Sequence, residues 1–181
     1  MKPLYLYSAL LLLTQCSKCK DDPRPEDKLP PATQEGKNTF GCLVNGQPWT
    51  PLGNNGAPNF HCDYDPGLDG GTLQVSAYRF PQAGGSQSQG INLLGRGILP
   101  GPGTYPITLA DNVAASYDDE FRDPACRLYY GQNLSYRRGR LTVTRLDLQA
   151  GVVAGTFEYT LSKPGCDSVR ITAGRFDYKL Y

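Results

Sequence analysis

The stretch Val153-Ala154-Gly155-Thr156-Phe157-Glu158-Tyr159-Thr160-Leu161 places apolar or small side chains at every second position, with Ala154, Thr156, Glu158 and Thr160 on the other face. That two-residue period is the mark of a half-buried strand. After Lys163-Pro164-Gly165 the alternation resumes at Val169, Ile171 and Ala173, then slips by one residue at Gly174 so that Phe176, Tyr178 and Leu180 carry it on. A single-residue slip at a glycine predicts a β-bulge or a bend in the strand. Residues 141–181 therefore predict long paired strands joined by short turns, and with them an all-β domain.

Working outward, Asn45-Gly46 separates Phe40–Val44 from Gln47–Thr50 and is a two-residue hairpin signal, since both central residues tolerate positive φ. Trp49, the only tryptophan, is expected to close this hairpin over the core, because its ring has a large area to hide. Further strands are expected at Leu73–Phe80, Ile91–Leu94, Gly103–Leu109, Cys126–Tyr130 and Leu141–Leu148. Pro51–Gly71 is expected to be a long loop, and Val113–Asp123 acidic and irregular. With no 3.6-residue apolar stripe, about 8–10 strands at this spacing predict a single antiparallel β-sandwich or barrel over residues 39–181.

The chain has 181 residues, 39% of them apolar, which suffices for one domain with a real core. Its 21 glycines and 15 prolines suit short strands and tight turns better than helices. Eighteen basic side chains balance seventeen acidic ones, so no net field draws the chain to nucleic acid, and none is expected as a partner. The basic cluster Arg137-Arg138-Gly139-Arg140 reads as a solvated turn before a strand. Four of the six cysteines lie in the body, at Cys42, Cys62, Cys126 and Cys166, with no Cys-x-x-Cys pair and a single histidine, so disulfides are expected and a metal is not. Four cysteines pair in three ways. Cys42 with Cys62 and Cys126 with Cys166 is the favoured set, the first tying the opening hairpin to its loop, the second tying the end of the acidic loop to the final hairpin. Disulfides require an oxidising compartment.

The N-terminus supplies one. Leu4–Leu13 is an apolar run broken only by Ser8, and as a helix it would reach about 15 Å, half of a bilayer core, which suits a signal peptide over residues 1–15 and not a membrane span. Leu13-Thr14-Gln15-Cys16 resembles the lipobox of lipoprotein signal peptides, although Gln15 replaces the usual small residue. Cys16 is thus the expected acylation site and the protein's link to the membrane. Residues 16–38, rich in charge and proline with Leu29 almost alone as an apolar residue, are expected to form a flexible tether reaching on the order of 60 Å or more. Cys19 is expected to be unpaired within it. Ser17-Lys18-Cys19-Lys20-Asp21-Asp22 is similar to the acidic export signal of Bacteroidota surface lipoproteins, and reads equally as a charged spacer that keeps the domain off the headgroups.

The segment Leu29-Pro30-Pro31-Ala32-Thr33-Gln34-Glu35-Gly36-Lys37-Asn38-Thr39-Phe40-Gly41-Cys42, together with Gly155-Thr156-Phe157-Glu158-Tyr159-Thr160 and Ile171-Thr172-Ala173-Gly174-Arg175-Phe176-Asp177, resembles a family of Bacteroidota lipoproteins of unknown function. The resemblance implies an outer-membrane, lipid-anchored location and leaves open which face of that membrane carries the domain. It carries no activity to transfer.

Groups capable of chemistry are few. His61, Asp63, Asp65 and Asp69 cluster in a glycine-rich stretch whose composition suggests calcium, but whose spacing puts Gly67 and Gln74 where an EF-type loop needs oxygen ligands. Turn-forming aspartates are the expectation. Asp118 and Glu120 form a second acidic group, in principle a carboxylate pair. No nucleophile elbow, phosphate loop or zinc-protease motif accompanies them, and no cofactor is expected. The expectation is therefore a non-catalytic binding or structural module with an extracellular glycan or protein ligand. Its rival is a hydrolase of envelope glycans or peptides built on His61 and loop carboxylates, which requires a cleft converging on His61, Asp63 and Asp118.

Overall fold

The computed structural model describes residues 23–53, 56–82, 84–110 and 112–181. Eleven strands run through them: β1 Thr39–Val44, β2 Gln47–Trp49, β3 Phe60–Asp65, β4 Thr72–Arg79, β5 Gln89–Arg96, β6 Gly103–Thr108, β7 Val113–Asp119, β8 Leu128–Tyr129, β9 Tyr136–Asp147, β10 Val152–Ser162 and β11 Val169–Lys179. They form a six-stranded sheet in the order β2-β1-β11-β10-β9-β6 and a five-stranded sheet in the order β3-β4-β5-β7-β8. Neighbouring strands are antiparallel throughout. The two sheets pack face to face as a β-sandwich, and no barrel closes.

The inward-facing positions are those the alternation selects. Val153, Phe157, Tyr159 and Leu161 of β10 and Val169, Ile171 and Phe176 of β11 are all buried. The slip expected near Gly174 is a bulge in β11. One residue of β1, Cys42, or of β10, Glu158, opposes two of β11 at this point, and Ala173 sits at φ +51°. The Asn45-Gly46 turn has φ of +49° and +80°, the mirror-image conformation that matches strand twist, which glycine adopts without a Cβ clash. Trp49 is 1% exposed and lies in the core, its ring 5.7 Å from Phe40. Phe40 also meets Phe60 and Phe157, each at 5.4 Å, so one ring links the two sheets.

Two expected irregular segments are strands. Within Pro51–Gly71, Phe60, Cys62 and Tyr64 alternate inward as β3; within Val113–Asp123, Val113, Ala115 and Tyr117 do the same as β7. Acidic and glycine-rich composition obscured a valid two-residue period in both: in β3 Asp63 and Asp65 fill outward positions that a sandwich leaves wet, and in β7 Asp118 faces outward while the adjacent Asp119 is buried. The basic cluster Arg137–Arg140 is likewise no turn: it opens β9, paired with β10 and β6.

Residues 23–38 are not a free tether. Leu29 is 8% exposed and packs with Pro30 on the outer face of β1, where a Cβ added to Gly41 would lie 2.7 Å from Pro30 Cδ. Asp177, almost wholly buried, receives Thr33 Oγ1 at 2.6 Å and the backbone N–H groups of Glu35, Gly36 and Lys37 at 3.0, 2.7 and 3.2 Å. The polar segment is held by hydrogen bonds to one carboxylate, which hydropathy does not register. Residues 1–22, which contain the expected signal peptide, Cys16 and Cys19, lie outside the described residues.

Cys126 and Cys166 form a disulfide across 40 residues. Cys42 and Cys62 do not pair; both are buried thiols. They lie on β1 and β3, in opposite sheets, and sheets pack about 10 Å apart where a disulfide spans about 4.4–6.8 Å between Cα atoms. The neighbouring Phe40–Phe60 contact keeps that separation. Burial pushes the Cys42 thiol up to about 12, opposed by Arg79, and raises Cys62 as well, with Asp63 adding to it. Both are neutral packing groups.

Candidate functional site

The residues singled out from the sequence do not converge. His61, Asp63 and Asp65 occupy the exposed alternate positions of β3, an edge strand, and Asp118 lies on β7, three strand spacings or about 14 Å across the same sheet. His61 Nδ1 is 3.2 Å from the Tyr178 hydroxyl, and the two rings meet edge to face. Asp65 accepts the N–H of Gly67 at 2.8 Å, which makes it a turn residue, and Asp69, at φ +52°, pairs with Arg96 at 2.9 Å. Among the described residues no group of acids, histidines or cysteines is placed to hold a metal ion. Asp118 and Glu120 both lie 3.6 Å from Arg127. Burial raises the Asp118 carboxyl and Arg127 opposes the rise. Between them Asp119 points inward, receiving the Tyr117 hydroxyl at 3.0 Å and Arg122 at 3.3 Å. His61→Ala is expected to change stability by no more than about 1 kcal/mol, since an exposed side chain with one polar contact is removed. A chemical denaturation curve checks this.

A different surface has the geometry of a site. The outer face of the six-stranded sheet carries three adjoining hollows of about 270, 910 and 180 Å³, all bordered by Glu158. Together they form a groove over β9, β10 and β11. The three longest strands supply its floor from their outward positions: Arg138, Arg140 and Thr142 from β9, Thr156, Glu158 and Thr160 from β10, and Arg170, Thr172 and Arg175 from β11. The register sets these side by side, Arg138 opposite Thr160 opposite Arg170, and Arg140 opposite Glu158. Glu26 and Ala32 of the N-terminal segment and the Asn45-Gly46 turn border it on the β1 side. That turn is fastened to β11 by reciprocal bonds, Asn45 N–H to the Arg170 carbonyl at 2.8 Å and Arg170 N–H to Asn45 Oδ1 at 2.7 Å.

The groove is cationic. Arg140 pairs with Glu158 at 2.9 Å, and Arg175 donates to the carbonyls of Ala173 and Pro30. Among the described residues no carboxylate pairs with Arg138 or Arg170. Asp63 and Asp65, by contrast, face outward on the other sheet. The near-zero net charge of the chain therefore conceals a local excess of arginine on this face, where Arg138, Arg140, Arg170 and Arg175 outnumber Glu26 and Glu158. Ala173, which borders two of the hollows, is a non-glycine residue with positive φ, the kind of backbone strain that collects at binding surfaces.

Sequence reasoning missed this groove. The outward set of β10 was legible, but its arginine neighbours lie on the two flanking strands, 10 to 22 residues away along the chain, and only pairing brings them together. No protein-family model matches the chain, and no curated protein or solved structure does either.

Proposed function

We propose that this chain is an envelope lipoprotein, acylated at Cys16 and held on the outer membrane at the cell surface, whose β-sandwich is a non-catalytic module that captures an anionic extracellular ligand in the groove on its six-stranded sheet. The observation that carries the reading is the groove itself, a concave surface with unneutralised guanidinium groups and no histidine or cysteine among its lining residues. The resemblance to Bacteroidota lipoproteins supports the location. The dispersal of His61, Asp63 and Asp118 over a sheet face speaks against the hydrolase alternative, which needs them around one cleft.

With residues 23–38 packed on the sandwich, the link from Cys16 to Pro23 spans at most about 25 Å even when fully extended. The module then sits near the membrane surface, well short of the reach of a fully free linker. Replacing Cys16 by Ser is expected to move the protein from the membrane fraction to the soluble envelope or medium, with loss of acyl mass from the intact chain. Unchanged fractionation without acyl mass overturns the anchor. Turnover of an envelope glycan or peptide that disappears in His61→Ala, with the melting temperature held, overturns the non-catalytic reading.

A further inference from the structure

We infer that the ligand of the groove is a linear acidic polysaccharide, bearing carboxylate or sulfate groups along its length; the inference rests on the binding-module reading and specifies its ligand. Arg138 and Arg170 stand on either side of Thr160, about 10 Å apart by two strand spacings, and Arg140 follows Arg138 at about 7 Å along β9. Positive charge is thus distributed along and across the groove, which matches a ligand whose anions recur along a chain. Guanidinium groups hold carboxylates and sulfates through paired N–H donors.

The rest of the floor matches the sugar. Thr156, Thr160 and Thr172 present hydroxyls that donate and accept, and Glu158 adds an acceptor, so ring hydroxyls find both kinds of partner. Other anionic polymers lack what they need. Single-stranded nucleic acid takes a series of aromatic platforms on which successive bases stack, whereas the rings among the lining residues, Phe157 and Tyr159, are 3% and 2% exposed and point into the core, and Tyr136, two residues before Arg138 on the same side of β9, is a single exposed ring beside the groove. An acidic peptide draws its affinity from apolar anchors in desolvated pockets, and this floor is mainly polar, with one partly apolar hollow beside Ala32 and Ala173. A bilayer is flat at this scale, whereas the groove is concave and bordered by Glu26 and Ala32.

The test uses the full chain carrying Cys16→Ser, with affinity electrophoresis and titration calorimetry against polygalacturonate, its methyl ester, dextran sulfate, neutral dextran, polyglutamate and vesicles of anionic phospholipid. Retention is expected on polygalacturonate or dextran sulfate, weakening as salt rises, and none on the methyl ester or dextran. Arg138→Ala with Arg170→Ala is expected to weaken that binding at least tenfold with an unchanged melting curve. Thr160→Glu, which sets a carboxylate between the two arginines, is expected to abolish it. Arg96→Ala on the opposite sheet is expected to leave it intact. Retention by neither acidic polysaccharide, or binding indifferent to Arg138, Arg170 and Thr160, overturns the inference. So does tighter binding of polyglutamate or anionic vesicles through the same arginines, an outcome that leaves the binding module standing with a different ligand. Release of reducing ends, read in the same samples, would instead count against the non-catalytic reading, so the two failures are distinguishable.

Discussion

Asp177→Ala is expected to release residues 23–38 from the six-stranded sheet and to lower stability by about 3 kcal/mol, the scale set by several hydrogen bonds to a buried carboxylate. Thr33 Oγ1 and the N–H groups of Glu35, Gly36 and Lys37 all end on this one side chain. Alanine returns those donors to water and removes the closure over Leu29 and Gly41. The remaining links, Arg145 to the Gln34 carbonyl at 2.7 Å, Arg175 to that of Pro30 at 3.4 Å and the Lys179 N–H to Asn38 Oδ1 at 2.9 Å, are single bonds. Amide exchange checks the result directly, since the N–H groups of residues 35–37 should lose protection before the strands do. Retained protection there would contradict the role given to Asp177. The groove would lose the wall that Glu26 and Ala32 form, so ligand binding should weaken in the same variant.

The same carboxylate gives a pH dependence with a definite sign. Burial acts to raise Asp177, but the hydrogen bonds from Thr33 and from the backbone of residues 35–37 outweigh it and hold the group below its ordinary value of 3.8. A carboxyl depressed by folding stabilises the native state fully above the unfolded value, and that stability is lost as pH falls through the folded one. Stability should therefore be level near neutrality and fall below about pH 4. Asp147, also lowered by the Ala150 N–H and by Arg145, contributes in the same direction. The difference between the parent and Asp177→Asn isolates the Asp177 share, and thermal melts from pH 6 to pH 3 supply it.

Removing the disulfide is the second large effect. Cys126→Ser with Cys166→Ser opens a loop of 40 residues. The chain-entropy relation puts the cost near 4 kcal/mol, and for a chain of this size that lowers the melting temperature by about 8–16 °C. Lys163 donates to the Ala125 carbonyl at 2.5 Å and the Tyr129 hydroxyl to that of Asp167 at 2.5 Å, so the two segments stay neighbours in the folded variant. The loss is expected to arise chiefly from the looser unfolded chain. Since Cys42 and Cys62 have no bond to lose, the parent under reductant should melt where the double variant melts. A peptide map under non-reducing conditions that joins Cys42 to Cys62 would contradict this.

What the sequence determined by itself was whatever depends on near neighbours along the chain. The alternation from Val153 to Leu161 decides which side of β10 is buried, the Asn45-Gly46 pair decides a turn, and the slip at Gly174 announces the bulge that the structure places at Ala173. Strands β3 and β7 carried the same signal in Phe60, Cys62 and Tyr64 and in Val113, Ala115 and Tyr117, where neighbouring acids, outward in β3 and on both sides of β7, disguised it. Beyond the hairpins that short turns announce, only the tertiary structure decided which strands lie side by side and in what register. Pairing such as β1 with β11 joins residues more than 100 positions apart, and no local periodicity encodes it. Arg138, Thr160 and Arg170 form one row because β9, β10 and β11 pair in a particular register. Cys42 and Cys62 stay apart because their strands fell into opposite sheets. Leu29, the lone apolar residue of a polar stretch, is buried because Gly41 leaves room for Pro30 and because Asp177, more than 140 residues away, holds the backbone that follows.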